Sequence, residues 1–168
     1  IILMGIIEQF SLRGKTALVT GCNKGIGKAM ALGLAEAGAD ILGVSASLEL
    51  SGSAVEKEVT ALGRSFKAYQ ADLSRRDSLY AFVAKVKAEN SNIDILINNA
   101  GISMRALFEN LDMEVFRKVM DTNFWGTVYA TKYCLPEILK NKGSIVGVSS
   151  INGYRGTPAR TAYTASKY

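Results

Sequence analysis

Residues 20–27 read TGCNKGIG, a glycine-rich turn directly behind the short apolar, β-rich run Lys15–Thr20 (KTALVT). Behind the turn, Ile26–Ala37 carries Ile26, Met30, Leu34 and Ala37 on one helical face, with Gly38 as a stop. Strand, glycine turn and helix in that order form the first part of a βαβ unit. The glycines let the backbone turn tightly and bring a helix N-terminus against a pyrophosphate. The stretch is not a P-loop, because the spacing before Lys28 is wrong and Ala29 replaces the magnesium-binding Ser or Thr. Nor is it GxGxxG, since Gly21, Gly25 and Gly27 are spaced Gly-x-x-x-Gly-x-Gly.

Outward from this unit the same alternation repeats. Asp40–Val44 is a second strand, Ser53–Leu62 a helix with Gly63 behind it, and Phe66–Gln70 a third strand. Ser74 opens a helix through about Glu89, with Asp77 three residues on as an imperfect capping box. Ile93–Ile97 (IDILI) is a fourth strand, buried on both faces by its near-continuous apolar character. Two helical segments from Asp112 to about Lys140 meet near Asp121–Asn123, Ser144–Val148 is a fifth strand, and a last helix begins near Ala159. Alternating βα units predict an α/β fold, a Rossmann-type doubly wound parallel sheet flanked by helices. The expected organisation is an N-terminal arm, residues 1–13, and a single nucleotide-binding domain, residues 14–168. The apolar start, Ile1–Phe10, has no basic region and no small-residue cleavage site, and reads as a cloning or docking arm.

Composition narrows the partners. Apolar residues make up 48% and charged residues 21% of 168, enough for one sizeable core and against disorder. The net charge of +5 is spread along the chain without basic tracts interleaved with aromatics, so only net charge speaks for nucleic acid. No run reaches the roughly eighteen apolar residues of a membrane span. With no histidine and only Cys22 and Cys134, no metal site is expected. Two thiols without framework spacing suit a reducing cytoplasm.

Every unusual cluster follows a strand: Thr20–Gly27, Ser45–Ser47, Asp72, Asn98–Gly101 and Ser149–Ser150. Parallel sheets bind ligands at that edge. Tyr163 and Lys167 are four residues apart and share a helix face. An ammonium there favours tyrosinate, so the phenol can give a proton to a carbonyl oxygen or take one from an alcohol. Ser150 can hydrogen-bond the same oxygen. Each of these also has a plainer reading: an amphipathic pair for Tyr163 and Lys167, a turn residue for Ser150, a helix cap for Asn123.

The motifs together resemble the short-chain dehydrogenase/reductase family: TGxxxGxG at Thr20–Gly27, NNAG at Asn98–Gly101, Asn123 in DTNFWG, Ser150 thirteen residues before Tyr163, and YxxxK at Tyr163–Lys167. The resemblance implies an oxidoreductase moving hydride between a nicotinamide cofactor and a ketone or secondary alcohol, with Asn123, Ser150, Tyr163 and Lys167 catalytic. Lys167 would also bind the nicotinamide ribose, and Asn123 would help hold a proton-relay water. It places the cofactor on Gly21, Asn23, Lys24, Gly25, Ile26 and Gly27, on Ser45, Ala46 and Ser47, on Asp72 and Leu73, on Asn99, Ala100 and Gly101, and on Tyr163 and Lys167. It further implies a homo-oligomer, dimer or tetramer, through the helices around Phe124–Leu139 and the YxxxK helix. The expected cofactor is NADP(H): no acid stands at Val44–Ser47 to hold a ribose 2′-hydroxyl, Glu49 comes too late, and Lys24 sits where relatives carry a base for the 2′-phosphate.

The family places two more strands and a substrate loop after YxxxK, whereas this sequence stops at Tyr168. The last strands of the sheet are therefore expected to be missing, leaving the fifth strand as an uncovered apolar edge. Either the polypeptide is longer or another chain supplies the layer. The alternative to an enzyme is a non-catalytic nucleotide-binding fragment of such a reductase.

Overall fold

Among the described residues, β1 (Thr16–Thr20), β2 (Asp40–Ser45), β3 (Phe66–Gln70), β4 (Ile95–Asn98) and β5 (Ser144–Gly147) form one parallel sheet in the order β3-β2-β1-β4-β5. The computed structural model describes residues 5–89 and 92–168. Residues 1–4 of the expected arm lie outside the described residues. The remainder of the arm forms one helical turn, α1 (Ile6–Gln9), and Leu12 N donates to Ala37 O at 2.7 Å.

Six further helices flank the sheet: α2 (Gly25–Glu36), α3 (Ala54–Ala61), α4 (Arg76–Glu89), α5 (Met113–Met120), α6 (Gly126–Lys140) and α7 (Thr161–Lys167). Side chains alternate across a strand, so β1 feeds two cores. Ala17 and Val19 pack with Ala31 and Ala35 of α2 and with Val55 and Val59 of α3. Leu18 packs on the opposite face with Leu79, Phe82, Val83 and Val86 of α4 and Cys134 and Ile138 of α6. Helices on both faces of a parallel sheet make the arrangement doubly wound. Its order reverses between β2 and β4, on either side of β1, and the carboxyl ends of the strands open there. Cys22 and Cys134 serve these cores as small apolar residues; burial pushes their thiols up to about 12 and about 11.

Local chemistry sets the boundaries. Ser53 caps α3 by accepting from Glu56 N at 3.2 Å, and Glu56 reaches back to Gly52 N at 2.6 Å. Ser74 does not open α4. Asp72 Oδ1 accepts from both Ser74 N (3.0 Å) and Ser74 Oγ (2.6 Å), Asp77 pairs with Arg75 at 2.6 Å, and the helix begins at Arg76. The fourth strand starts at Ile95 rather than Ile93: the Asp94 carboxylate accepts from Thr16 N at 3.0 Å and from Lys15 Nζ at 2.9 Å, fixing the approach to the strand. β5 is shorter than expected and exposed throughout, as an uncovered edge should be. α7 begins at Thr161, because Ala159 adopts a left-handed φ of 60°.

The two helical segments expected to meet near Asp121–Asn123 are joined by a π-helical turn, Asp121–Trp125. Such widened turns rotate side chains away from the ordinary helical face. Here the turn carries Asn123 inward, where it is buried.

Candidate active site

The glycine turn and the NNAG turn lock together at the end of β1. The buried Thr20 hydroxyl donates to Ile97 O at 3.1 Å and accepts from Asn99 N (3.0 Å) and Ala100 N (2.9 Å). Asn99 Nδ2 donates in return to Thr20 O (3.0 Å) and Gly21 O (3.3 Å). The packing leaves no room for side chains. A Cβ on Gly27 would stand 2.2 Å from Gly21 O and 2.4 Å from Asn99 Nδ2. Gly21 has φ 69° and would place a Cβ 2.9 Å from the same amide. The start of α2 is thereby pressed against the strand end, and because the first N–H groups of a helix have no partner within it, the arrangement suits an anion.

Above this junction lies a cleft of about 490 Å³. Of the expected cofactor residues, Gly21, Asn23, Lys24, Ile26, Gly27, Ser45, Ala46, Ser47, Asp72, Leu73, Asn99, Ala100 and Gly101 line it. Gly25, Tyr163 and Lys167 do not; Gly25 contributes a φ of 56° at the first residue of α2. Asn23 Nδ2 donates to Ser47 Oγ at 3.0 Å, tying the first turn to the end of β2. Lys24 and Lys118 are the cleft's cations and Asp72 its one carboxylate. The Ser74 hydroxyl hydrogen bond, opposed by burial and aided by Ser74 N–H and the Lys118 charge, holds the Asp72 carboxyl below the usual carboxylate range.

The catalytic candidates lie beyond Gly101. A Cβ on Gly101 would be 3.2 Å from Asn123 Oδ1 and 3.6 Å from Lys167 Nζ, so the cleft ends where α7 begins to contribute. Lys167 donates to Val148 O at 2.7 Å, and burial pushes its ammonium below the usual lysine range. Lys167 Nζ stands 6.0 Å from the Tyr163 ring centroid, and the Arg160 guanidinium stands 5.7 Å from the same centroid. Ser149 Oγ donates to Lys167 O at 2.9 Å, bringing the segment after β5 against α7. The Ser150 hydroxyl accepts from Asn152 N at 3.2 Å and caps the short 3₁₀ turn Ile151–Gly153, the turn role left open above.

Asn123 joins three pieces. Its Oδ1 accepts from Ile102 N at 2.8 Å, and its Nδ2 donates to Ile102 O and to Ser166 Oγ, each at 2.9 Å. With donors and acceptor so engaged, the side chain fastens the loop after β4 to α7. Beside it, Asn98 Nδ2 donates to Thr131 Oγ1 at 2.9 Å, while its buried Oδ1 has no partner among the described residues.

The cleft also takes in residues that sequence reasoning passed over: Ala71, Ile102, Lys118 and Thr122. Thr20 carried a usable signal, a hydroxyl at the end of an otherwise apolar strand. Lys118 carried none, because an exposed helical lysine is the commonest of surface residues.

A glycine cradle at the β1 turn, fastened to an NNAG turn and followed by a Tyr–Lys pair on one helix face, sits on a doubly wound α/β fold. The chain belongs to the short chain dehydrogenase family, whose model matches residues 15–168. Among its relatives is a 2-dehydro-3-deoxy-D-gluconate 5-dehydrogenase of Pseudoalteromonas atlantica, 50% identical over 163 residues, covering 96% of this chain and 64% of that protein. The enzyme of the same description from Escherichia coli is 37% identical over 164 residues, with 96% and 64% covered. A 3-oxoacyl (acyl-carrier-protein) reductase of Agrobacterium tumefaciens, solved with NADP bound, superposes with a TM-score of 0.89 at 33% identity, covering 98% of this chain and 63% of that one. The chain thus spans about two thirds or slightly less of these proteins. No helix among the described residues is long and apolar enough to cross a membrane.

Proposed function

We propose that the protein is an NADP-dependent oxidoreductase acting on a ketone or secondary alcohol, with an acidic sugar ketone as the favoured substrate class. The observation that carries the reading is that the glycine-walled cleft ends at Gly101, where a Cβ would stand 3.6 Å from Lys167 Nζ. The cleft suits a dinucleotide: a cradle that any Cβ would fill, N–H groups without helical partners at a helix start, and lysines for phosphate. Bound NADPH would supply the hydride to the carbonyl carbon. Tyr163 donates its phenolic proton to the carbonyl oxygen, and Lys167, one turn along the helix, stabilises the tyrosinate that remains. Ser150 orients that oxygen once its hydroxyl turns from Asn152. Asn123 holds α7 against the loop after β4. For NADP over NAD the support is Lys24 in the cleft and a β2 terminus, Ser45–Ser47, without a carboxylate. For the substrate class the support is the activity named for the relatives. Exposed Phe124 and Trp125 in the π-helical turn, with Leu135 and Leu139 on α6, support assembly into homo-oligomers.

The test is NADPH oxidation with 5-dehydro-D-gluconate, a sugar acid with its ketone at the C5 position that the relatives' name specifies, and with a panel of neutral ketones, comparing wild type with Tyr163→Phe. A kcat lower by about a hundred- to ten-thousand-fold, with NADPH binding kept, is expected from loss of a general acid. Binding without turnover in the wild type would identify a nucleotide-binding module instead.

A further inference from the structure

We propose that Arg160 is the residue that recognises the carboxylate of an acidic ketone substrate. This rests on the reductase reading above and adds to it the part of the site that selects charge. Arg160 immediately precedes α7, and its guanidinium faces the Tyr163 ring at 5.7 Å from the centroid. Its Nη1 donates to Ser103 Oγ, on the loop that follows the NNAG turn. One residue earlier, Ala159 O accepts from Ala106 N at 3.1 Å, so the approach to α7 and this loop are fastened at two points. The left-handed Ala159, φ 60°, turns the chain between them. Arg160 is thus a cation held beside the Tyr163 ring and tied to the loop after β4.

Its charge is also uncommitted. Among the described residues no carboxylate pairs with Arg160, as with Arg13, Arg76, Arg105 and Arg155; Arg160 differs from those four in standing against the Tyr163 ring. A guanidinium carries five N–H donors in a planar fork. One is taken by Ser103, and the others can receive both oxygens of a carboxylate. A ketone whose oxygen meets the Tyr163 hydroxyl can then be oriented by a carboxylate further along the same molecule. The substrate class follows: carbonyl compounds carrying a carboxylate several carbons from the reacting centre, with neutral ketones disfavoured.

The experiment compares 5-dehydro-D-gluconate with its uncharged primary amide as substrates of the protein. In Arg160→Gln, KM for the acid should rise by roughly 10- to 100-fold, the loss expected for a hydrogen bond to a charged group. KM for the amide should stay within about twofold if the effect is on charge recognition alone. Arg160→Lys keeps the charge without the fork, and should retain a preference for the acid at a KM raised several-fold. Ser103→Ala removes the protein partner and leaves the cation, and should keep the preference. Equal losses on acid and amide in Arg160→Gln would mean a structural role and overturn the proposal, as would an unchanged KM for the acid. A wild type that reduces the amide as well as the acid overturns it while leaving the reductase reading intact. A wild type that reduces neither overturns both.

Discussion

β1 and β5 belong to the same sheet and are written in the same apolar vocabulary, TALVT and SIVG, yet they meet opposite environments. Ala17, Leu18 and Val19 are fully buried, whereas Ile145 is 38% and Val146 43% exposed. β1 has a strand on each edge and helices on each face; β5 has β4 on one edge. Burial is thus decided by neighbours and not by composition. The difference divides the site as well. The glycine-walled cleft lies over the enclosed strands, and the Tyr163–Lys167 side lies over the open one.

Four substitutions probe this contrast, beginning with the largest effect. Leu18→Ala should lower the unfolding free energy by about 2–5 kcal/mol, since a fully buried leucine leaves a cavity. Val146→Ala should cost under about 1 kcal/mol, because an exposed side chain has little burial to lose. Urea titrations of the two variants compare them directly; equal losses would mean that β5 is covered in solution by further chain or a second copy.

Within the enclosed half, Lys24→Glu should weaken NADPH by about tenfold, or about 1.4 kcal/mol, and leave NADH almost unchanged. Calorimetric titration with both cofactors measures the ratio. A parallel loss for both would assign Lys24 to the shared pyrophosphate.

The smallest effect concerns Asp72. Its carboxyl is held below the ordinary range, chiefly by Ser74. A depressed folded pKa adds stability that is full above the unfolded value of about 3.9 and fades as pH falls through the folded value. Wild type should therefore exceed Asp72→Asn in Tm near neutrality, and the gap should close in acid. A gap independent of pH would mean that the carboxylate charge is not what holds the turn.

The sequence made the sheet legible because its strands are short apolar runs, each followed by polar or glycine-rich turns. The glycine cradle was legible for the same reason: Gly21 and Gly27 are placed where only glycine fits. Exact starts were less so. Ser74 has the chemistry of a helix cap, but Asp72, two residues earlier, takes its hydroxyl. Asn123 was visible as a polar residue between helices, while its bonds to Ile102 and Ser166 depend on a widened turn that no side-chain pattern marks. Lys118 enters the cleft only through the placement of α5. These are tertiary facts, decided by which segments meet.

The Thr20 hydroxyl gives one of those meetings a place in time. It bonds Asn99 N across 79 positions of sequence, and the whole cradle depends on that closure. A chain emerging from the ribosome can build β1, α2 and β2 early, but the glycine-walled cleft cannot exist before the NNAG turn has been synthesised and docked. Any ligand of that cleft would therefore stabilise the protein only late in its folding, sealing a nearly finished structure and never serving as a template for starting one.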